Sequence, residues 1–146
     1  MKRFLPLLSC LLLGLALPAW AVEYRTVNAA TILYDAPSQQ GVKLFVIRRD
    51  TPVEIVVTLK DWVKVRDAEG GLAWIETKYL GNRRTVIVKA ERADILRQAV
   101  DGAPLVFAAE KNVSLSYLAT APGGWARVRH RDGQEGFVRV GQIWGL

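Results

Sequence analysis

Trp62, Val65, Arg66, Gly70 and Ile75 recur as Trp125, Val128, Arg129, Gly133 and Val138, each 63 positions on. Self-similarity at one fixed spacing means that a single supersecondary unit is used twice, which limits the chain to two small domains of one kind. The repeat places the first unit at 22–81 and the second at 85–146, joined through Gly81, Asn82, Arg83 and Arg84. Units of this size bury a small share of their surface and are marginal alone, so so short a linker predicts that the two halves touch.

Ahead of the repeats, Lys2 and Arg3 precede an uncharged apolar run from Phe4 to Leu17, and Ala19-Trp20-Ala21 has the small-x-small form of a cleavage site. This pattern reads as a secretory signal peptide over 1–21. A run of 14 residues with Pro6 inside it and Pro18 after it falls short of the roughly 20 that a spanning helix needs. No transmembrane segment is therefore expected in the mature chain. A lipoprotein is disfavoured because the apolar run continues well past Cys10, where lipidation would end it. The expected address is periplasmic or secreted. Cleavage removes Cys10, the sole cysteine, and with it any disulfide or thiolate ligand. It also removes two cations, leaving eighteen basic against fourteen acidic residues, a charge of +4. That balance suits an anionic envelope polymer and is too small to argue for nucleic acid.

The local signals are those of strands. Val53 to Val57 is rich in β-branched residues, and Trp62 to Arg66 alternates with the period of two expected when one face is buried. Asp67 to Gly71 reads as a turn, and Leu72 to Ile75 as the returning strand. The second unit repeats this from Trp125 to Arg129, through Asp132 and Gly133, to Gly136–Val140. One segment conflicts with the pattern. Ala90 to Gly102 has the spacing of an amphipathic helix, yet the repeat sets Ile95 and Leu96 against Ile32 and Leu33, where Pro37 interrupts any helix. Helix propensity is the weaker guide, so the segment is read as extended chain plus loop. Several short strands with Gly-bearing turns favour small antiparallel barrels.

Alternation also sorts the side chains by face. With Val63, Val65 and Ile75 inward, Trp62, Lys64, Arg66 and Trp74 point away from the core. The same parity turns Trp125, Arg127, Arg129 and Phe137 away from the second core. Each unit then offers two aromatics and two cations on one face, a combination suited to an extended peptide or glycan bearing carboxylates. A second reading has the same rings packed against the neighbouring unit or the linker, since aromatics dominate cores and interfaces alike. Trp144 has no counterpart in the first unit and is read as closing a barrel end or packing on the neighbour.

The order of these segments resembles the bacterial SH3-like domain. The resemblance rests on Ile32 to Ser38, Thr51 to Val56, Trp62-Val63-Lys64-Val65, Ala73-Trp74-Ile75 and Tyr79-Leu80. In the second unit it rests on Ile95 to Arg97, Val113 to Leu115, Gly124 to Val128, Gly136-Phe137-Val138 and Ile143. It implies an all-β chain of two tandem SH3-like β-barrels that bind cell-wall peptide, peptidoglycan or envelope proteins. It also adds Tyr34 and Tyr79 to the candidate ligand-binding residues. The chain departs from the family pattern at Ala73, where the closing hairpin usually has Gly, and at Arg97 and Gln142, set opposite Tyr34 and Tyr79.

Nothing in the sequence assembles a catalytic centre. His130, the sole histidine, sits among Arg129, Arg131 and Asp132 in a turn, and no serine lies in a nucleophile elbow. With no cysteine in the mature chain and one histidine, a zinc site lacks ligands, and no metal or cofactor is expected. The expected function is non-catalytic recognition in the envelope. The alternatives are a protein-assembly adaptor and a small wall hydrolase using paired carboxylates.

Overall fold

A computed structural model describes residues 20–146, so the leader read over 1–21 lies almost wholly outside the described residues. The rest is antiparallel sheet with two single 3-10 turns. The first unit runs β1 (Tyr24–Val27), β2 (Thr31–Tyr34), β3 (Lys43–Ile47), β4 (Pro52–Thr58), β5 (Trp62–Arg66), β6 (Leu72–Glu76) and β7 (Leu80–Gly81). The second runs β8 (Thr85–Val88), β9 (Arg92–Leu96), β10 (Leu105–Glu110), β11 (Ser114–Ala121), β12 (Trp125–Arg129), β13 (Glu135–Arg139) and β14 (Ile143–Trp144). Strand order is β3-β2-β6-β5-β4-β1-β7 in one sheet and β10-β9-β13-β12-β11-β8-β14 in the other, the same path twice.

The expected closed barrels are corrected to open sheets. β7 has two residues and pairs with β1, so no strand remains to meet β3, which pairs only with β2. β3 and β10 therefore end their sheets with a free edge. Each sheet still gathers one core. Val27, Leu33, Ile47, Val53, Val63, Val65, Ala73 and Ile75 form the first, and Val86, Val88, Ala93, Ile95, Leu115, Ala126, Val128, Val138 and Ile143 belong to the second. The burial of β5 alternates as its sequence does, with Val63 and Val65 inside and Trp62, Lys64 and Arg66 on the other face.

The segment with helical spacing is strand β9 followed by a turn. Its register differs by one residue from the sequence alignment. Leu96 pairs with Phe137 as Tyr34 pairs with Trp74, so Leu33 corresponds to Ile95 and Tyr34 to Leu96. The partner set opposite Tyr34 is thus Leu96 and not Arg97. The β4–β5 connection is one residue shorter than its counterpart between β11 and β12, since Thr58 pairs with Val63 but Thr120 with Ala126, and one residue of slip changes the face of every side chain on the strand.

The two units pack directly on each other. The hydroxyls of Thr26 and Thr85, both buried, share a hydrogen bond of 2.9 Å across the junction. Tyr24 meets Trp144 edge to face with ring centroids 5.0 Å apart, so Trp144 packs on the neighbouring unit. Arg84 lies over Tyr24 and Tyr117 and donates to the Gly145 carbonyl at 2.9 Å. Gly145 has φ +114 and sits where a Cβ would stand 3.1 Å from Pro52, so the junction requires glycine there. Burial raises the Tyr24 hydroxyl above its ordinary pKa, and the nearby Glu54 carboxylate adds to the effect. β8 is buried along its whole length because Val86 and Val88 enter a core while Thr85 and Ile87 face the junction.

Candidate functional site

Four side chains named from the sequence come together on the outer face of the first unit. Cross-strand pairing sets Tyr34 beside Trp74, Trp74 beside Lys64, and Trp62 beside Glu76. Tyr34, 7% exposed, stands edge-on to Trp62 with centroids 5.4 Å apart. This T-shaped geometry places the positive ring edge of one aromatic on the negative face of the other. Both tryptophans are half-buried, leaving part of each ring surface to solvent.

The charges on this face are arranged unevenly. Arg66 donates to both oxygens of Glu54 at 3.3 Å. Lys64 has no ion-pair partner among the described residues. Glu76, beside Trp62, is drawn sideways: it accepts from Gln39 at 3.2 Å and pairs with Lys78 at 3.1 Å. The hydrogen bond to Glu76, then its negative charge, holds the Lys78 ammonium above its ordinary pKa. Tyr79 is not part of the cluster. It packs on the first core, with Lys78 over its ring and its carbonyl accepting from the Asn28 amide.

The second unit treats the corresponding residues differently. Trp125 is 3% exposed, so it offers no open surface, although parity turns it from the core. Arg139 lies 4.2 Å over its ring, fixed by a bond to the Gly123 carbonyl at 3.0 Å and by an ion pair with Asp101. Arg127 and Arg129 both donate to Glu135 at 2.6 Å, which holds the Glu135 carboxyl below its ordinary pKa, Arg129 contributing most. Phe137 is half-buried, beside Leu96 and Arg127. Neither Trp62 nor Trp125 belongs to the junction between units, which is built from Tyr24, Thr26, Arg84, Thr85 and Trp144.

Glu76, Glu135 and Arg139 shape these faces and were missed as single residues. The repeat carries the signal, because Glu76 and Arg139 occupy the same place 63 positions apart with opposite charge. Among the described residues, no group of three or more His, Cys, Asp and Glu side chains is placed to hold a metal ion. No helix is long and apolar enough to cross a membrane among those residues.

The sequence pattern of the bacterial SH3 domain matches this chain twice, over residues 27–80 and 89–145. No curated protein matches it. Similar solved structures include NlpC2 and NlpC1 from Trichomonas vaginalis, each 13% identical with a TM-score of 0.39. The matches cover 85% and 88% of this chain but 48% and 47% of those proteins. A third, an NlpC/P60 family protein from Bacillus cereus ATCC 10987, is 16% identical with a TM-score of 0.38, covering 84% of this chain and 56% of its own. The chain thus spans about half the length of the solved proteins it resembles.

Proposed function

The chain belongs to the bacterial SH3 domain family, and from that premise we propose that it is a non-catalytic recognition module of the cell envelope. Its ligand in this reading is cell-wall peptide or an envelope protein segment, met after export to the periplasm or outside. The contact face is that of the first unit, with Trp62 and Trp74 as the apolar surface, buried Tyr34 bracing Trp62 edge-on, and Lys64 as the cation that receives a carboxylate.

One observation carries the choice: the first unit keeps two half-buried tryptophans beside an unpaired lysine, whereas the second covers its tryptophan and neutralises its arginines. Stacking rings supply area, and a lysine without a partner supplies charge that need not first be freed from an ion pair.

Co-sedimentation of residues 22–146 with intact peptidoglycan tests the proposal. Binding is expected for the wild type and for Arg127→Ala. It is expected to fall about ten-fold or more in Trp62→Ala and Lys64→Glu, on the scale of losing one aromatic contact or reversing one charge. Retained binding in Lys64→Glu, a half-buried position whose folding is checked by circular dichroism, would remove the site from this face. Dye release from labelled walls by the purified protein would overturn the non-catalytic reading.

A further inference from the structure

The two free edges are alike in position and unlike in exposure. Phe45 on β3 and Phe107 on β10 are equivalent, since each pairs with the matching core residue of its neighbour, Leu33 or Ile95. Phe107 packs on the second core and against His130, with ring centroids 5.6 Å apart. The position equivalent to His130 in the first unit is Asp67, whose carboxylate turns back to accept from the Glu69 and Gly71 amides. It cannot cover an aromatic ring, and Phe45 is left 46% exposed, with Leu44 at 45% and Val46 at 65%.

Natural proteins blunt such an edge with charge, proline or a covering loop. β3 carries one charge, Lys43, and no proline. Its open end leads into a cleft of about 550 Å³ between the units. Residues 45–51 form one wall, 112–116 and the hairpin tip from Arg129 to Arg131 the other, with Ile87 between them. The lining holds five arginines against Asp50, Asp67 and Glu69. Asp50 is already paired with Arg83 and Arg49, while Arg48 and Arg131 have no ion-pair partner among the described residues.

We propose that the free edge of β3 and the cleft beside it take an extended acidic peptide segment of another protein, added as a further strand. Backbone hydrogen bonds along the edge give such a complex its affinity, and alternate side chains give it specificity. Here the alternate positions meet Phe45 on one face and Val46 on the other, while carboxylates reach Arg48 from the near wall and Arg131 from the far one. A second copy of the chain fits less well. Antiparallel pairing of two β3 strands brings Lys43, Arg48 and Arg49 of each copy toward the same three cations of the other. The inference does not rest on the aromatic face, which lies on β5 and β6.

The test uses fluorescence anisotropy with a labelled peptide of alternating valine and glutamate, and the same peptide with lysine for glutamate. The glutamate peptide is expected to bind at least about ten-fold tighter and to weaken as salt rises. Val46→Glu, at an exposed position that leaves the core untouched, is expected to abolish the preference. Arg131→Glu, on the other unit, is expected to reduce it. Amide hydrogen exchange at Phe45, Val46 and Ile47 is expected to slow when the peptide is bound. Equal binding of the two peptides, or unchanged exchange along β3, overturns the inference. Dimers in sedimentation that Val46→Glu dissolves would assign the edge to a second copy. Binding to anionic phospholipid vesicles that Val46→Glu abolishes, without peptide binding, would assign it to a membrane surface.

Discussion

At one position the first unit has Glu76 and the second has Arg139, and most of the difference between their outer faces follows from that exchange. A guanidinium lies flat on an indole and is attracted by its π face, so Arg139 seals Trp125 and Asp101 pins Arg139 in place. A carboxylate has no such attraction, and Glu76 turns away to Gln39 and Lys78, leaving Trp62 with Tyr34 as its only ring neighbour among the described residues. The cations follow the same division. Glu135 sits where the first unit has Leu72, and Ser116 where it has Glu54. Arg129 therefore turns to Glu135 and takes Arg127 with it. The same scaffold has one face closed over its tryptophan and one left partly open.

If that division is right, the two equivalent tryptophans respond oppositely to truncation. Trp125→Ala empties a buried site and is expected to destabilise the protein by about 3–5 kcal/mol, the range for large aromatics lost from packed interiors. Trp62→Ala removes a half-buried ring and is expected to cost about 1–2 kcal/mol while weakening the proposed wall binding about ten-fold or more. Urea denaturation of both variants, followed by far-ultraviolet circular dichroism, measures the contrast. Equal destabilisation would mean that the first face is as closed as the second.

The closing hairpins provide the next contrast. A Cβ on Gly136 would lie 2.5 Å from Ile95 and 2.6 Å from the Leu96 carbonyl oxygen. Gly136→Ala must therefore push β13 from β9 and is expected to cost about 2–3 kcal/mol, at the upper end for overpacking. Ala73, at the equivalent place, is a buried member of the first core. Ala73→Gly loses one methyl and gains backbone freedom, costing about 1 kcal/mol. The Ala at 73, a departure from the family pattern in sequence, thus marks a first hairpin with more room than the second.

Much of this is legible in the sequence. Alternation placed Val63, Val65, Val128 and Val138 inside correctly, because a strand with one wet face has to obey a period of two. The repeat overruled the helical spacing of Ala90 to Gly102, and β9 is the outcome. The same repeat misled over Tyr34, since a fixed spacing of 63 cannot register a loop shortened by one residue. Closure of the sheets was not legible either. It depends on whether β7 is long enough to reach β3, and two-residue strands leave almost no pattern. Burial of Trp125 was hidden because parity gives the direction of a side chain and not what lies over it. Arg139, distant in sequence, decides that.

Swapping the covering residue sharpens the comparison further. Arg139→Glu recreates the first unit's arrangement on the second and is expected to expose Trp125, shifting its fluorescence to the red. The loss in stability is expected to be about 1 kcal/mol, near that of one cation–π contact. Fluorescence unchanged from wild type would mean that the loop through Gly123, and not Arg139, covers the ring.

Acid is the mildest way to separate the two hairpins. The amide and side chain of Gln134, with a smaller contribution from His130, lower the Asp132 carboxyl from 3.8 to about 2. Arg129 and Arg127 lower Glu135 as well. A carboxyl whose pKa is depressed by folding contributes its full stabilisation above the unfolded value and loses it as pH falls through the folded one. The second hairpin should therefore weaken between about pH 4 and pH 2, releasing Arg127 and Arg129 as Glu135 takes up its proton. The first hairpin has Leu72 in the place of Glu135 and lacks that release. A nuclear magnetic resonance titration of the Gln134 amide measures the effect directly. A midpoint near 2 supports the hydrogen-bonded turn, whereas a midpoint near 3.8 would mean that Asp132 is free in solution and that the two hairpins differ in sequence alone.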